Sequence, residues 1–227
     1  MLQNKEEVEG NDEPSVVTPQ IEKNERITNE IDMMLKEAYV TGNYAKALDF
    51  LQHGASGSVY LDSNVPLLYD LYKNYEQGLV GTDLLFEYYL RNRKNCFKDF
   101  LDGIYPDQTV GSYIAHFGSL DLLQKMADEK IPINSEKENP EDTALFDMVA
   151  AEWTYNMANQ TFGGLKYNEK EKRRRIRLLL EAGADVTLLR TYDGGTIFHS
   201  FRWYPEEEDF TDVLDKMIEL GASPQVL

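Results

Sequence analysis

The side chains best suited to acid–base or nucleophilic chemistry are few in this chain: three histidines, His53, His116 and His199, and one cysteine, Cys96. A histidine's role as ligand or catalyst is legible in sequence where its partners stand at a fixed spacing. No His-Glu-x-x-His stretch sets two metal ligands on one helical face, and no Gly-x-Ser-x-Gly elbow presents a serine. Gly163-Gly164 and Gly194-Gly195 are isolated pairs that read as turn punctuation, not as a phosphate cradle. Cys96 stands between Lys94 and Lys98, cations that could lower a thiol pKa. With no histidine nearby in sequence, it reads as a packing cysteine. A single cysteine also excludes an internal disulfide framework and a cysteine-based zinc knuckle. His53 precedes a glycine and is expected near a helix C-terminus, where a cation is favoured. The expectation is a protein that is not an enzyme and carries no catalytic residue, metal or cofactor.

Charge says more than the chemical groups do. Lys and Arg number 23 against 40 Asp and Glu, for a net charge of −17. Binding nucleic-acid phosphates depends on cations that release counterions, so an acidic chain is a poor match for them. The one dense basic run, residues 170–177 (KEKRRRIR), is interrupted by carboxylates and reads as a solvated outer helix face. Glu206, Glu207, Glu208 and Asp209 form an acidic run that reads as a solvated loop or as a contact for a basic partner.

The elements that position these groups follow from patterning. Residues 1–27 carry three cations, seven carboxylates, two prolines and no aromatic residue. Such a stretch buries too little apolar area to offset the entropy of ordering it, so a disordered acidic segment is expected. It lacks the basic start and apolar stretch of a secretory signal, which points to the cytoplasm. The same composition would suit the tether of a periplasmic lipoprotein if a signal had been removed. At 42% hydrophobic, the remainder should bury a core. No uncharged apolar run of about 18 residues is present, so no transmembrane helix is expected.

Along 28–227 a period emerges. Three apolar stretches end alike: Leu48 to Ser56 (LDFLQHGAS), Leu178 to Asp185 (LLLEAGAD) and Met217 to Pro224 (MIELGASP). Glycine just past the last turn adopts the left-handed conformation that closes a helix, alanine allows close packing, and Asp or Ser starts a turn. Leu90 to Arg93 and Lys130 to Asn134 have the same shape without the glycine. The starts recur too. Thr109, Thr143 and Thr196 each precede an apolar helical stretch and suit an N-cap; Val65-Pro66-Leu67 has the same form with valine. Leu48, Leu51, Leu179, Leu180, Leu214 and Ile218 are expected in the core between units.

With these openings and Gly-Ala-Asp endings, above all in residues 176–187, the chain resembles the ankyrin-repeat family. The resemblance covers about 28–224 in five units: about 28–56, 62–95, 107–134, 141–187 and 193–224. It implies an all-α solenoid of stacked helix-turn-helix units, with insertions in the later repeats: Trp153 to about Lys170, and Arg202 to Asp209. It places His199 at a family position that makes structural hydrogen bonds. It also implies a concave surface that binds another protein. On this chain the turn tips of that surface are Tyr60 and Asp62, Tyr105 and Asp107, Glu136, Glu138 and Asp142, and Tyr192 and Asp193. Trp153, Tyr155, Trp203 and Tyr204 border or occupy the insertions, where exposed aromatics could anchor a partner. Tyrosine mixed with carboxylate suits a cationic protein surface. The function this implies is a non-catalytic protein-binding module, acting as a monomer or in a heterocomplex. Its most specific form is a bacterial immunity or antitoxin-type inhibitor of a basic toxin. The alternative is a scaffold, adaptor or host-targeting effector.

Overall fold

The computed structural model describes residues 30–61, 64–150, 169–201 and 209–224. These are mostly short α-helices: α1 (Glu30–Val40), α2 (Tyr44–Gln52), α3 (Leu67–Glu76), α4 (Thr82–Asn92), α5 (Val110–Phe117), α6 (Leu120–Glu129), α7 (144–150), α8 (Glu169–Glu181), α9 (Ile197–Ser200) and α10 (Thr211–Glu219). Two helices fall within each of the five ranges read from the sequence. The longest described helix has 13 residues. Helices this short are marginal alone, and packing of an apolar face must supply their stability. That packing runs in series: α1 lies on α2 and α3 on α4, while α2 contacts α4, α4 contacts α6, α6 contacts α8 and α8 contacts α10. One continuous apolar core threads through them, from Leu35 and Leu51 through Phe86, Ile114 and Leu179 to Met217.

The helix ends are closed by the device the sequence suggests. Gly54, Gly183 and Gly221 have φ of +108°, +92° and +103°. The next residue's N–H reaches back across the turn, Ala55 to Phe50 O (3.0 Å), Ala184 to Leu179 O (2.9 Å) and Ala222 to Met217 O (3.0 Å). These are the closing bonds of a Schellman turn, and they satisfy carbonyls that would otherwise lack donors. All three alanines are buried. The ending without glycine closes in the same way: Lys130 itself is left-handed, φ +53°, and Ile131 N–H bonds Met126 O at 2.9 Å.

The openings hold their caps. Thr109 Oγ1 accepts from Ser112 N–H at 3.1 Å, and Ser112 Oγ accepts in return from Thr109 N–H at 3.0 Å. At Thr196 the return bond comes to an imidazole: Thr196 N–H donates to His199 Nδ1 at 3.0 Å. Between α4 and α5 the chain departs from an all-helical reading. Strands β1 (Phe100–Leu101) and β2 (Tyr105–Thr109) pair antiparallel, with Phe100 opposite Thr109 and Leu101 opposite Tyr105. The signal is local: Asp102-Gly103 between Phe-Leu and Ile-Tyr is a hairpin sequence. Successive loops are tied side to side. Ser58 Oγ donates to Asp99, Ser135 Oγ donates to Asp107 O, and Thr191 donates to Glu141.

Several expectations are corrected. Ile218 is 49% exposed and Leu214 half-buried; Val213 and Met217, a helical turn apart, take the inward face of α10 instead. The basic run is not a solvated face throughout. Lys172 and Arg175 are buried, because the 3.6-residue period puts them on the side of α8 that carries Ile176 and Leu179. Arg173 and Arg177 reach across to Asp212 of α10, at 2.8 and 3.7 Å. Burial, with the Asp99 carboxylate, pushes the Cys96 thiol up to about 12, against the pull of Arg93. Lys94 is drawn away to Glu129, and Cys96 is inert packing. The acidic leader 1–27, Asp62, Trp153, Tyr155, Trp203 and Tyr204 lie outside the described residues.

Two substitutions test this packing. Lys130→Gly should raise the unfolding free energy by about 0.5–1 kcal/mol, the left-handed penalty less the added freedom of glycine in the unfolded chain. Gly111→Ala should lower it by about 3 kcal/mol, since the added methyl would collide with the carbonyl oxygen of Pro132 in the neighbouring loop. Urea unfolding followed by circular dichroism reads both. An unchanged midpoint in either variant would contradict the backbone geometry described.

Candidate functional site

The loops that precede α3, α5, α7 and α9 carry most of the residues singled out from the sequence. Tyr60 is half-buried beside the bridge that its backbone makes with Pro66. Tyr105, Asp107, Glu136, Asp142, Tyr192 and Asp193 are exposed. Because neighbouring loops are hydrogen-bonded in succession, these side chains run along one edge of the molecule. The edge is locally stiffened. Arg190 stacks on Tyr192, 4.9 Å from the ring centre, and pairs with Asp193, whose carboxylate also accepts from Gly195 N–H at 2.8 Å. That backbone N–H, with Arg190, holds the Asp193 carboxyl below the usual carboxylate range.

Beside this edge lies an aromatic face that the sequence reading did not assemble. Tyr113 of α5 is its centre. Its ring lies 5.0 Å from Tyr69 and 6.2 Å from Tyr72 of α3, 5.0 Å from Tyr105 of β2 and 4.7 Å from Phe117 one turn on. Tyr69, Tyr72 and Tyr113 are buried; Phe117 is 52% and Tyr105 40% exposed. Burial, then the Tyr113 phenol, raises the pKa of Tyr69; the Tyr113 phenol, then burial, raises that of Tyr105. Both stay neutral, so this face has apolar area and phenol dipoles but no charge of its own. A signal existed: Tyr69 and Tyr72, and Tyr113 and Phe117, stand at helical spacing. What no spacing reveals is that α3, α5 and β2 converge.

The tip residue Glu138 is not an exposed contact. Its side chain is 2% exposed and accepts from His116 Nε2 at 3.2 Å and from Gln108 Nε2 at 3.0 Å. The physical reason is the imidazole, which the end of α5 presents to this loop. His116 also has Asp147 of α7 at 3.9 Å from its Nδ1, and its side chain is 8% exposed. Burial alone would lower its pKa; Asp147 and Glu138 outweigh burial and hold it at about 9. Glu138 is the closer partner, within hydrogen-bonding reach, whereas Asp147 is at ion-pair distance. His116 is therefore an imidazolium at neutral pH. The other two histidines are structural in placement: His53 caps α2 beside Asp49 (3.1 Å), and His199 belongs to the cap of α9.

Among the described residues no group of three His, Cys, Asp or Glu side chains could hold a metal ion, and no helix is long and apolar enough to cross a membrane. Comparison of the chain with protein-family models, with curated proteins and with solved structures finds no match.

The raised His116 pKa fixes a pH dependence. A group held protonated in the fold contributes fully below its unfolded pKa of about 6.5, and that contribution is lost as pH rises through about 9. Its size is at most a few kcal/mol, since Asp147 is well solvated. Urea midpoints measured from pH 6 to 9.5 should therefore fall more steeply for the native chain than for His116→Gln. Parallel curves would contradict the assignment.

Proposed function

We propose that the chain is an ankyrin-type helical array that binds another protein and performs no catalysis. The observation that carries this reading is the exposed row of Tyr105, Asp107, Glu136, Asp142 and Tyr192 along loops that are hydrogen-bonded to one another. A rigid, continuous edge of tyrosines and carboxylates loses little entropy on binding and offers both buried area and charge steering. The serial contacts of α2, α4, α6, α8 and α10 support the repeat reading, as do the shared Gly-Ala helix endings. Such an array would present its loops as one extended surface. The net charge of −17 favours a basic partner. The most specific form of the reading is an immunity or antitoxin-type inhibitor that covers and neutralises a basic toxin or effector.

The test is affinity capture from the source cells with the native chain and with a variant carrying Asp107→Lys, Glu136→Lys and Asp142→Lys. The native chain should retain a basic protein, with binding that weakens by roughly tenfold or more as salt rises from 50 to 300 mM. The variant should lose that protein while unfolding at the same urea concentration. If the retained protein is a toxin, stoichiometric addition of the native chain should abolish its activity. Equal retention by the variant would move the interface elsewhere, and turnover of a substrate by the purified chain would end the non-catalytic reading.

A further inference from the structure

The rim of the aromatic face has an unmet chemical demand. Glu138 Oε2 and Gln108 Oε1 are both buried and have no hydrogen-bond donor among the described residues. Buried acceptors normally find a donor, and a group left without one calls for an explanation. Charge is unbalanced in the same place. The carboxylates of Glu138 and Asp147 face one imidazolium, His116, and the C-terminal end of α5 adds partial negative charge. The nearest cation in sequence, Lys137, is turned away: its ammonium lies 3.9 Å from the centre of the Phe100 ring and 4.0 Å from Asp102. Against this acidic corner stands an exposed ring, Phe117, whose centre is 5.6 Å from that of His116 and which continues through Tyr113 to Tyr105. The Asp147 carboxylate is itself 62% exposed and open to solvent.

A group that fits this corner is cationic, able to lie flat on the exposed Phe117 ring and able to donate to the exposed Asp147 carboxylate. Those are the properties of a guanidinium; an ammonium has the charge but not the planar fork. We infer that the Phe117–Tyr105 shelf, with Asp147 and Glu138 at its border, is the docking point for an arginine side chain of the partner protein. The inference rests on the protein-binding reading above and narrows it to one anchoring residue type. The arginine stacks on Phe117 and pairs with Asp147 at the rim, while Glu138 behind them, closed to solvent, adds its negative charge and no direct contact.

The probe is N-acetyl-arginine N-methylamide, with its citrulline counterpart as a neutral isostere, titrated into the full chain and followed by NMR. The arginine compound should produce saturable shifts at the Gln108 side-chain amide and at the His116 and Phe117 rings, and citrulline should produce none. Phe117→Ala, which leaves net charge unchanged, should weaken binding roughly two- to fivefold. Asp147→Asn should weaken it similarly, while Asp121→Asn, on the exposed face of α6, should not. Equal response to citrulline, shifts spread over the acidic surface, or variants that bind like the native chain would each overturn the assignment. The two readings fail separately. A basic protein retained equally by native chain and Phe117→Ala sinks the arginine site and leaves protein binding standing. Arginine shifts with no protein ever retained sink the function and leave the site.

Discussion

Short helices cannot stand alone, and everything else in this molecule follows from that. With no described helix beyond 13 residues, each amphipathic stretch depends on a neighbour to cover its apolar face. The neighbour is supplied by the next pair, because each turn brings the chain back into line. Among the described residues six helix ends close through a left-handed residue, at Gly42, Gly54, Gly78, Lys130, Gly183 and Gly221. The repeated geometry lets α2, α4, α6, α8 and α10 meet in order and share one core.

Polar ties then fix the spacing of what the core has assembled. Tyr39 of α1 donates to Asp70 of α3 at 2.6 Å. Arg93, just past α4, donates to the carbonyls of Leu51 and Ala55 at the end of α2, at 2.8 and 3.0 Å. Asn134 does the same for Gly183 O at the end of α8, at 2.9 Å. In each case a side chain of one helix pair reaches a group of the adjoining pair. Such bonds contribute modestly to stability, but an unserved buried carbonyl would cost more, so they select one register over its alternatives. The loops inherit that register, and a row of exposed tyrosines and carboxylates results.

The His116 cluster shows how the same logic can concentrate charge. A capped helix of eight residues ends on His-Phe, placing an imidazole among carboxylates from a loop and from α7 and a phenyl ring in solvent. The protonated imidazole makes the burial of Glu138 tolerable. It also leaves that corner with more acceptors than donors, beside a face whose phenols stay neutral. Apolar area, negative charge and open acceptors therefore adjoin within a few side chains, on elements whose backbones are already fixed by packing.

The amino-acid sequence by itself determined the helix pairs, their glycine-closed ends, the threonine caps and the acidic character, because each depends on residues within one or two turns of each other. The Asp-Gly hairpin was equally local and could have been read. Which face of α10 points inward, which arginines of the basic run are buried, and that Glu138 is an internal partner and not a surface contact were decided by tertiary structure alone. Glu138, His116 and Asp147 come from a loop, α5 and α7, and Tyr69, Tyr105 and Phe117 from α3, β2 and that same α5. Their meeting depends on the angles at which helices pack, and packing angles are set by the summed fit of many side chains, which no local pattern records.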